Sequence, residues 1–293
     1  MNVDPLDVSK IGDYTPTRVT ALRHQVDLLN RQLERMLENR LVQERMKQEL
    51  SLAAQVQGFL IPDSLPNSPS LSMSAIYVPH HDVGGDYYDV VEMGRGKWLY
   101  CVADVAGKGV SAALLMAHLQ ASIRALLHAY TDLPTLVTNV NDLLGHATRS
   151  ERFVTLFMGT LDEESGALQY VCAGHIPAVL YRNGVLQTLN KGTTLLGMFQ
   201  PLPFMELGTC VLEPGDLLLI CTDGVVEGQN EKQEPFGMDR LVGTICETPE
   251  LSPDLVNSAV LGRLIAHRGG WNFVDDVTLL TIRYSGGGAG NGG

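Results

Sequence analysis

The chain has 293 residues, of which 33 are acidic and 21 basic, for a formal net charge of −12. An excess of acid argues against sequence-independent nucleic-acid binding, where Lys and Arg must neutralise phosphates, and is compatible with binding hard cations. Hydrophobic residues at 45% and charged residues at 18% describe an ordinary globular protein, long enough for one large domain or two modest ones.

The opening MNVDPLDVSK lacks a basic stretch followed by an apolar one, so no signal peptide is expected. Residues 1–16 carry two prolines and read as a flexible lead-in. From Thr17 to Gln57 there is no Pro or Gly, and Leu22, Val26, Leu29 and Leu33 recur at helical spacing. The stripe continues through Leu37 and Leu41 to Met46, Leu50 and Ala53 with a stutter. A single apolar seam on so long a helix needs a partner, so a coiled-coil homodimer is favoured over one amphipathic helix packed on its own domain. Gly58, Pro62, Pro66 and Pro69 mark a linker over residues 58–70.

Residues 71–284 form the main domain. Short β-branched or aromatic runs predict strands at Ala75–Val78, Trp98–Val102, Phe153–Thr160, Leu168–Cys172, Ala178–Tyr181, Leu217–Cys221 and Val277–Ile282. Helical patterns cover Val110–Tyr130, Leu133–Thr148, Asp239–Cys246 and Pro253–His267. Val110–Tyr130 is the most apolar long stretch, but His118, Gln120, Arg124 and His128 make it a buried helix and not a membrane span. Clustered strands broken by helix pairs give an α+β class with helices covering antiparallel sheets. Gly145–Arg152 reads as a polar flap or turn, and residues 285–293 as a disordered tail. Cys101, Cys172, Cys210, Cys221 and Cys246 form no C-x-x-C pair, which predicts free thiols in a reducing compartment and a cytoplasmic protein.

Four acidic positions share one setting, the end of an apolar strand beside glycine or another acid: Asp86 in VGGD, Asp104 in VADVAGKG, Asp223 in LLICTDG, and Asp275–Asp276 before VTLL. Singly each is weak, since Asp-Gly is a common turn. Together they make an oxygen-rich cluster suited to Mg²⁺ or Mn²⁺, because carboxylates brought so close repel one another without cations. Gly107-Lys108-Gly109 lacks the spacing of a nucleotide P-loop. His175 is expected to be structural and to bond to backbone, His80–His81 lack partners at ligand spacing, and Glu227 reads as a loop residue.

The ordered blocks GGDYYDVV, ADVAGKGVSAALLMA, FVTLFMGTLD, YVCAGHIPAVLYRNG, LEPGDLLLICTDGVVEGQN and DDVTLLTI resemble the metal-dependent PPM-type protein phosphatases. The likeness is to their bacterial branch, typified by the sporulation stage II phosphatase and the stress-response phosphatases of partner-switching sigma-factor regulation. It covers about Gln55 to Tyr284 and implies a four-layer αββα sandwich with two metals, Mn²⁺ or Mg²⁺, between the sheets. By position, Asp104 would bridge the metals with the Val105 carbonyl as a neighbouring ligand. Asp223 and Asp275 would bind the first metal, and Asp86 would hold metal-bound water. Asp275 is preferred to Asp276 because the family's ligand lies three residues before the strand threonine, here Thr278; Asp276 and Lys108 are assigned to the surroundings of the site. The resemblance implies hydrolysis of phosphoserine or phosphothreonine by a hydroxide bridging the two metals, on a partner such as a STAS-type anti-sigma-factor antagonist. The Thr17–Gln57 coiled-coil helix is separately expected to receive a signal from an activating protein. The histidine that eukaryotic members place two residues after the bridging aspartate is Ala106 here, so the leaving-group acid has no assigned residue. The alternative reading is a non-enzymatic dimeric module whose degenerate phosphatase domain binds phosphoprotein. Retention of all four aspartates favours the enzyme. A nucleotide or inositol phosphatase shares two-metal chemistry but leaves the ordered blocks unexplained.

Overall fold

A computed structural model of the chain describes residues 16–129, 132–147, 152–248, 250, 252–270 and 273–287. The expected lead-in up to residue 15, residues 148–151 of the expected flap and the tail beyond residue 287 lie outside them. The chain divides into two units, Met1–Leu52 and Ala53–Gly293.

Most of helix α1 (Pro16–Gly58) makes up the first unit, which continues without a helix breaker because its sequence supplies none until Gly58. Val26, Leu29, Leu33, Leu37, Leu41 and Met46 are each more than half exposed along it. Within this unit these residues of the apolar stripe have no cover.

The second unit holds two sheets. The first orders its strands β1 (Leu71–Val78), β11 (Val277–Tyr284), β10 (Leu217–Cys221), β6 (Ala178–Arg182) and β7 (Val185–Leu189). The second orders β2 (Tyr87–Gly94), β3 (Lys97–Val105), β4 (Val154–Asp162), β5 (Ala167–Ala173) and β8 (Gly192–Thr193), with β9 (Gly208–Val211) also pairing β5. Helices α2 (Val110–Leu126) and α3 (Leu133–Ala147) pack on the second sheet, and α5 (Gly237–Glu247) and α6 (Pro253–Arg268) on the first. The single turn α4 (Asp223–Val226) follows β10.

This is the expected αββα arrangement, and β10 shows why its sequence is uniformly apolar. Leu218 and Ile220 enter the core shared with the second sheet, while Leu217, Leu219 and Cys221 pack with residues of α5 and α6. A strand covered on both faces has no polar side to alternate. One pairing departs from the antiparallel expectation: β8 runs parallel to β5 over Cys172–Gly192 and Ala173–Thr193. Strands β2, β7, β8 and β9 carry no run in the sequence reading. In β2 the pattern is broken by Asp89, which is fully buried and held by Arg124 of α2 through two bonds of 2.6 and 2.7 Å and by the Tyr87 hydroxyl at 2.5 Å. Among the described residues, no helix is long and apolar enough to cross a membrane. Of the five cysteines, all free, Cys101, Cys172 and Cys221 are buried and Cys246 is exposed.

Candidate metal centre

Each sheet delivers two of the four aspartates from a pair of neighbouring antiparallel strands. In the second sheet Tyr87 pairs with Ala103, so Asp86 and Asp104 come next in register at the same sheet end, with Asp104 opposite Thr155 of β4. In the first sheet Cys221 pairs with Leu279, Thr222 donates its N–H to the Thr278 carbonyl at 3.1 Å, and Asp223 and Asp275 lie just beyond. The sheets are tied through Asp86, whose Oδ2 accepts from the Thr222 hydroxyl at 2.7 Å and the Thr278 hydroxyl at 2.6 Å.

The turn before Asp86 is fixed on every side. Asp276 Oδ2 accepts from the Gly85 N–H at 2.6 Å and the Asp86 N–H at 3.4 Å, and its Oδ1 accepts from the His80 N–H at 2.7 Å. Gln57, in the last turn of α1, pairs its amide with the Gly84 peptide, donating at 2.7 Å and accepting at 3.1 Å. A Cβ at Gly84 would collide with the Tyr77 hydroxyl and the Asp276 carboxylate, and one at Gly224 with the Asp276 carbonyl. Glycine is required at both places by close approach. The Val105 carbonyl lies against Gly85, beside the Asp86 turn.

Asp86 is buried and Asp104, Asp223 and Asp275 are part-buried, with little compensating charge. Burial, and then Asp104, hold the Asp86 carboxyl well above the usual range, with the two threonine hydroxyls opposing in part. Burial and then Asp223 and Asp275 push Asp104 up to about 7. Asp223 is raised by burial, then by Asp275 and Glu227, while Lys108 works the other way. The Tyr77 hydroxyl is also raised, by burial and then by Asp276 and Asp86, and it has no hydrogen-bond partner among the described residues. Lys108 donates to Asp275 Oδ2 at 2.8 Å and to the Val274 carbonyl at 2.6 Å. His80 and His81, their ring centroids 3.9 Å apart, line the same cleft mouth as Lys108, Asp275 and Asp276.

Among the described residues, no three Asp, Glu, His or Cys side chains are drawn in tightly enough to close round an ion. The donor chemistry is the oxygen-only set that suits a hard divalent cation. The geometry brings Asp86 and Asp104 together, and Asp223 and Asp275 together, and joins the pairs through Thr222 and Thr278. Asp276 serves backbone N–H groups. His175 sits inside the protein where the chain crosses from β5 to β6, as suits a structural histidine. Its ring meets the Thr155 hydroxyl at 2.8 Å, and Cys172 Sγ donates to its carbonyl at 3.1 Å. Burial lowers its pKa to about 4, with a backbone hydrogen bond at Cys221 opposing in part.

The sequence reading missed Gln57, Tyr77 and Thr222 and used Thr278 only to align the aspartates. Thr222 adjoins Asp223 and Thr278 lies three residues after Asp275, which is the signal available for them.

The sequence profile described as Stage II sporulation protein E (SpoIIE) matches residues 94–285, well over half of the chain. The chain belongs to the SpoIIE family. Asp104, Asp223 and Asp275 of this SpoIIE-family chain fall inside the matched span, and Asp86 precedes it. The chain is 28% identical over 192 residues to phosphoserine phosphatase RsbU of Bacillus subtilis, covering 65% of this chain and 57% of RsbU. It is 26% identical over 262 residues to Protein IcfG of Synechocystis sp., covering 80% of this chain but 41% of that protein. It thus spans little more than half, or less, of the length of these relatives. The solved RsbU and RsbW domains of Rv1364c from Mycobacterium tuberculosis match with a TM-score of 0.69 at 27% identity, over 78% of this chain and 64% of that one.

Proposed function

We propose that the chain is a protein serine/threonine phosphatase, acting in the cytoplasm on a phosphorylated partner of the STAS-type antagonist class. Asp86, Asp104, the Val105 carbonyl, Asp223 and Asp275 are the proposed holders of two divalent cations, Mn²⁺ or Mg²⁺. The observation that carries this is the pair Asp86 and Asp104: a buried and a part-buried carboxyl side by side, both with raised proton affinity and neither with a cationic partner among the described residues. A family relative named as a phosphoserine phosphatase supports the substrate class. When bound, such cations supply Lewis acidity and lower the pKa of water.

The chain's own residues do the rest. Thr222 and Thr278 fix the Asp86 carboxylate, and Asp276 fixes the turn that presents it. Ala106 offers no proton donor, so the leaving serine or threonine oxygen takes its proton from water or from the substrate protein. The exposed stripe on α1 supports a homodimer through that helix, and the Gln57–Gly84 pair supports a route by which an activating protein at the helix acts on the Asp86 turn.

The test is dephosphorylation of phosphorylated antagonist proteins by the full chain, with Mn²⁺ and Mg²⁺ compared. Asp223→Asn should lower turnover at least about a hundredfold, the scale on which a lost charge-stabilising group reduces rate, while circular dichroism stays unchanged. Retained turnover in that variant would sink the assignment. Sedimentation equilibrium on the same samples reads the dimer, and a monomer at tens of micromolar would end that part.

A further inference from the structure

Lys108 is where the acidic cleft meets a positive charge from its own chain. Its two bonds, to Asp275 Oδ2 and the Val274 carbonyl, join the loop after β3 to the segment before β11 across 167 and 166 positions of sequence. Among the described residues, this is the one salt bridge that any of the four aspartates makes. The lysine is flanked by Gly107 at φ 108° and Gly109 at φ 71°, and a Cβ at either would meet nothing within 4 Å. These glycines therefore serve backbone shape and not packing. Both side chains of the pair are about half exposed, so the ammonium can pass into water at small cost.

An ammonium and a divalent cation seek the same carboxylate lone pairs, and one oxygen cannot serve both at full strength. We propose that Lys108 is a latch on the cleft: its ammonium competes with a divalent cation for the Asp275 carboxylate, and so sets the cation concentration at which the site fills. This rests on the reading of Asp275 as a cation ligand. The latch holds the loop that follows Asp104 against the segment that carries Asp275, so filling the site also releases that loop.

The experiment titrates the full-length chain with Mn²⁺ alone and reads free Mn²⁺ by electron paramagnetic resonance, with circular dichroism confirming each fold. Four proteins are compared with the parent: Lys108→Gln, Lys108→Arg, Asp275→Asn, and the double variant Lys108→Gln/Asp275→Asn. Loss of a half-exposed pair should let Lys108→Gln bind Mn²⁺ about fivefold more tightly than the parent. Lys108→Arg, which keeps a donor for Asp275, should bind nearly as the parent does. Asp275→Asn should weaken binding at least about tenfold, and adding Lys108→Gln to it should change nothing further. If Lys108→Gln leaves the parent's affinity unchanged or weaker, the latch is wrong while the Asp275 reading stands. Equal tightening by Lys108→Gln in both backgrounds means a through-space charge effect and also overturns the latch. If Asp275→Asn binds as the parent does, the ligand reading itself fails, and the latch with it.

Discussion

Asp86 and Asp89 stand three residues apart, both buried, and their charges meet opposite treatment. Asp89 is balanced: Arg124 grips it with two bonds and Tyr87 adds a third. Asp86 receives two neutral hydroxyls and faces Asp104, which makes its charge harder to hold. A buried carboxylate that is paired is scaffold, because its charge is answered by a fixed partner. Buried carboxyls that crowd together without an answering charge carry a standing destabilisation, which a fold retains where something else supplies the charge. The same strand end thus holds a closed electrostatic unit and an open one.

The largest expected effect breaks the closed unit. Arg124→Met leaves Asp89 buried without its cation and should cost about 3–5 kcal/mol of stability in denaturant unfolding, the usual penalty for breaking a buried pair from one side. A loss under about 1 kcal/mol would mean that Asp89 finds its charge balance elsewhere and that the contrast with Asp86 is false.

A third solution to burial is neutrality, and His175 takes it. Its pKa is lowered to about 4 in the folded protein, against an unfolded value near 6.5. Between those values the unfolded chain binds more protons, so this group's contribution makes stability fall as pH drops from about 6.5 to about 4. The raised carboxyls of Asp86 and Asp104 give the opposite slope, since the folded state holds their protons more tightly. The measurement is therefore a difference. Compared with His175→Gln, the parent should lose about 2–3 kcal/mol more stability over that interval. Parallel stability curves for the two proteins would show that the ring takes its proton without cost.

What the sequence discloses, and what it hides, follows the same line between local and distant causes. Helix α6 is legible because its signals are local: Pro253 at its start, and Gly269 at its end in the left-handed conformation, φ 77°. The uniformly apolar β10 is legible as a run, and the four aspartates because each stands at the end of an apolar strand, three of them next to glycine or a second acid. Strand β2 is not, because its buried Asp89 makes sense only once Arg124, 35 residues on, is brought to it. The grip on Asp86 is hidden for the same reason, since its hydroxyls come from 136 and 192 positions away. A threonine in a strand looks alike in sequence whether it faces a core or a carboxylate. Lys108 can be assigned to the surroundings of the site from sequence, but its partner Asp275 emerges only once β11 is placed beside its loop.

The smallest effect has the most telling sign. Asp104→Asn removes a charge from the crowded cleft, and its Asp neighbours then repel one another less. Burial and the neighbouring carboxylates push Asp104 up to about 7, so at pH 8 its ionised form opposes folding. In chelator at that pH, Asp104→Asn should raise stability by about 1–2 kcal/mol, well short of the full shift because the aspartate is coupled to others and its bond to Asp86 is altered. The same substitution should abolish tight Mn²⁺ binding. Removing a charge partner beside Asp89 destabilises, and removing a charge beside Asp86 stabilises. Destabilisation by Asp104→Asn in chelator would show that the strand ends at Asp86 and Asp104 are held as scaffold after all, with no strain for a cation to relieve.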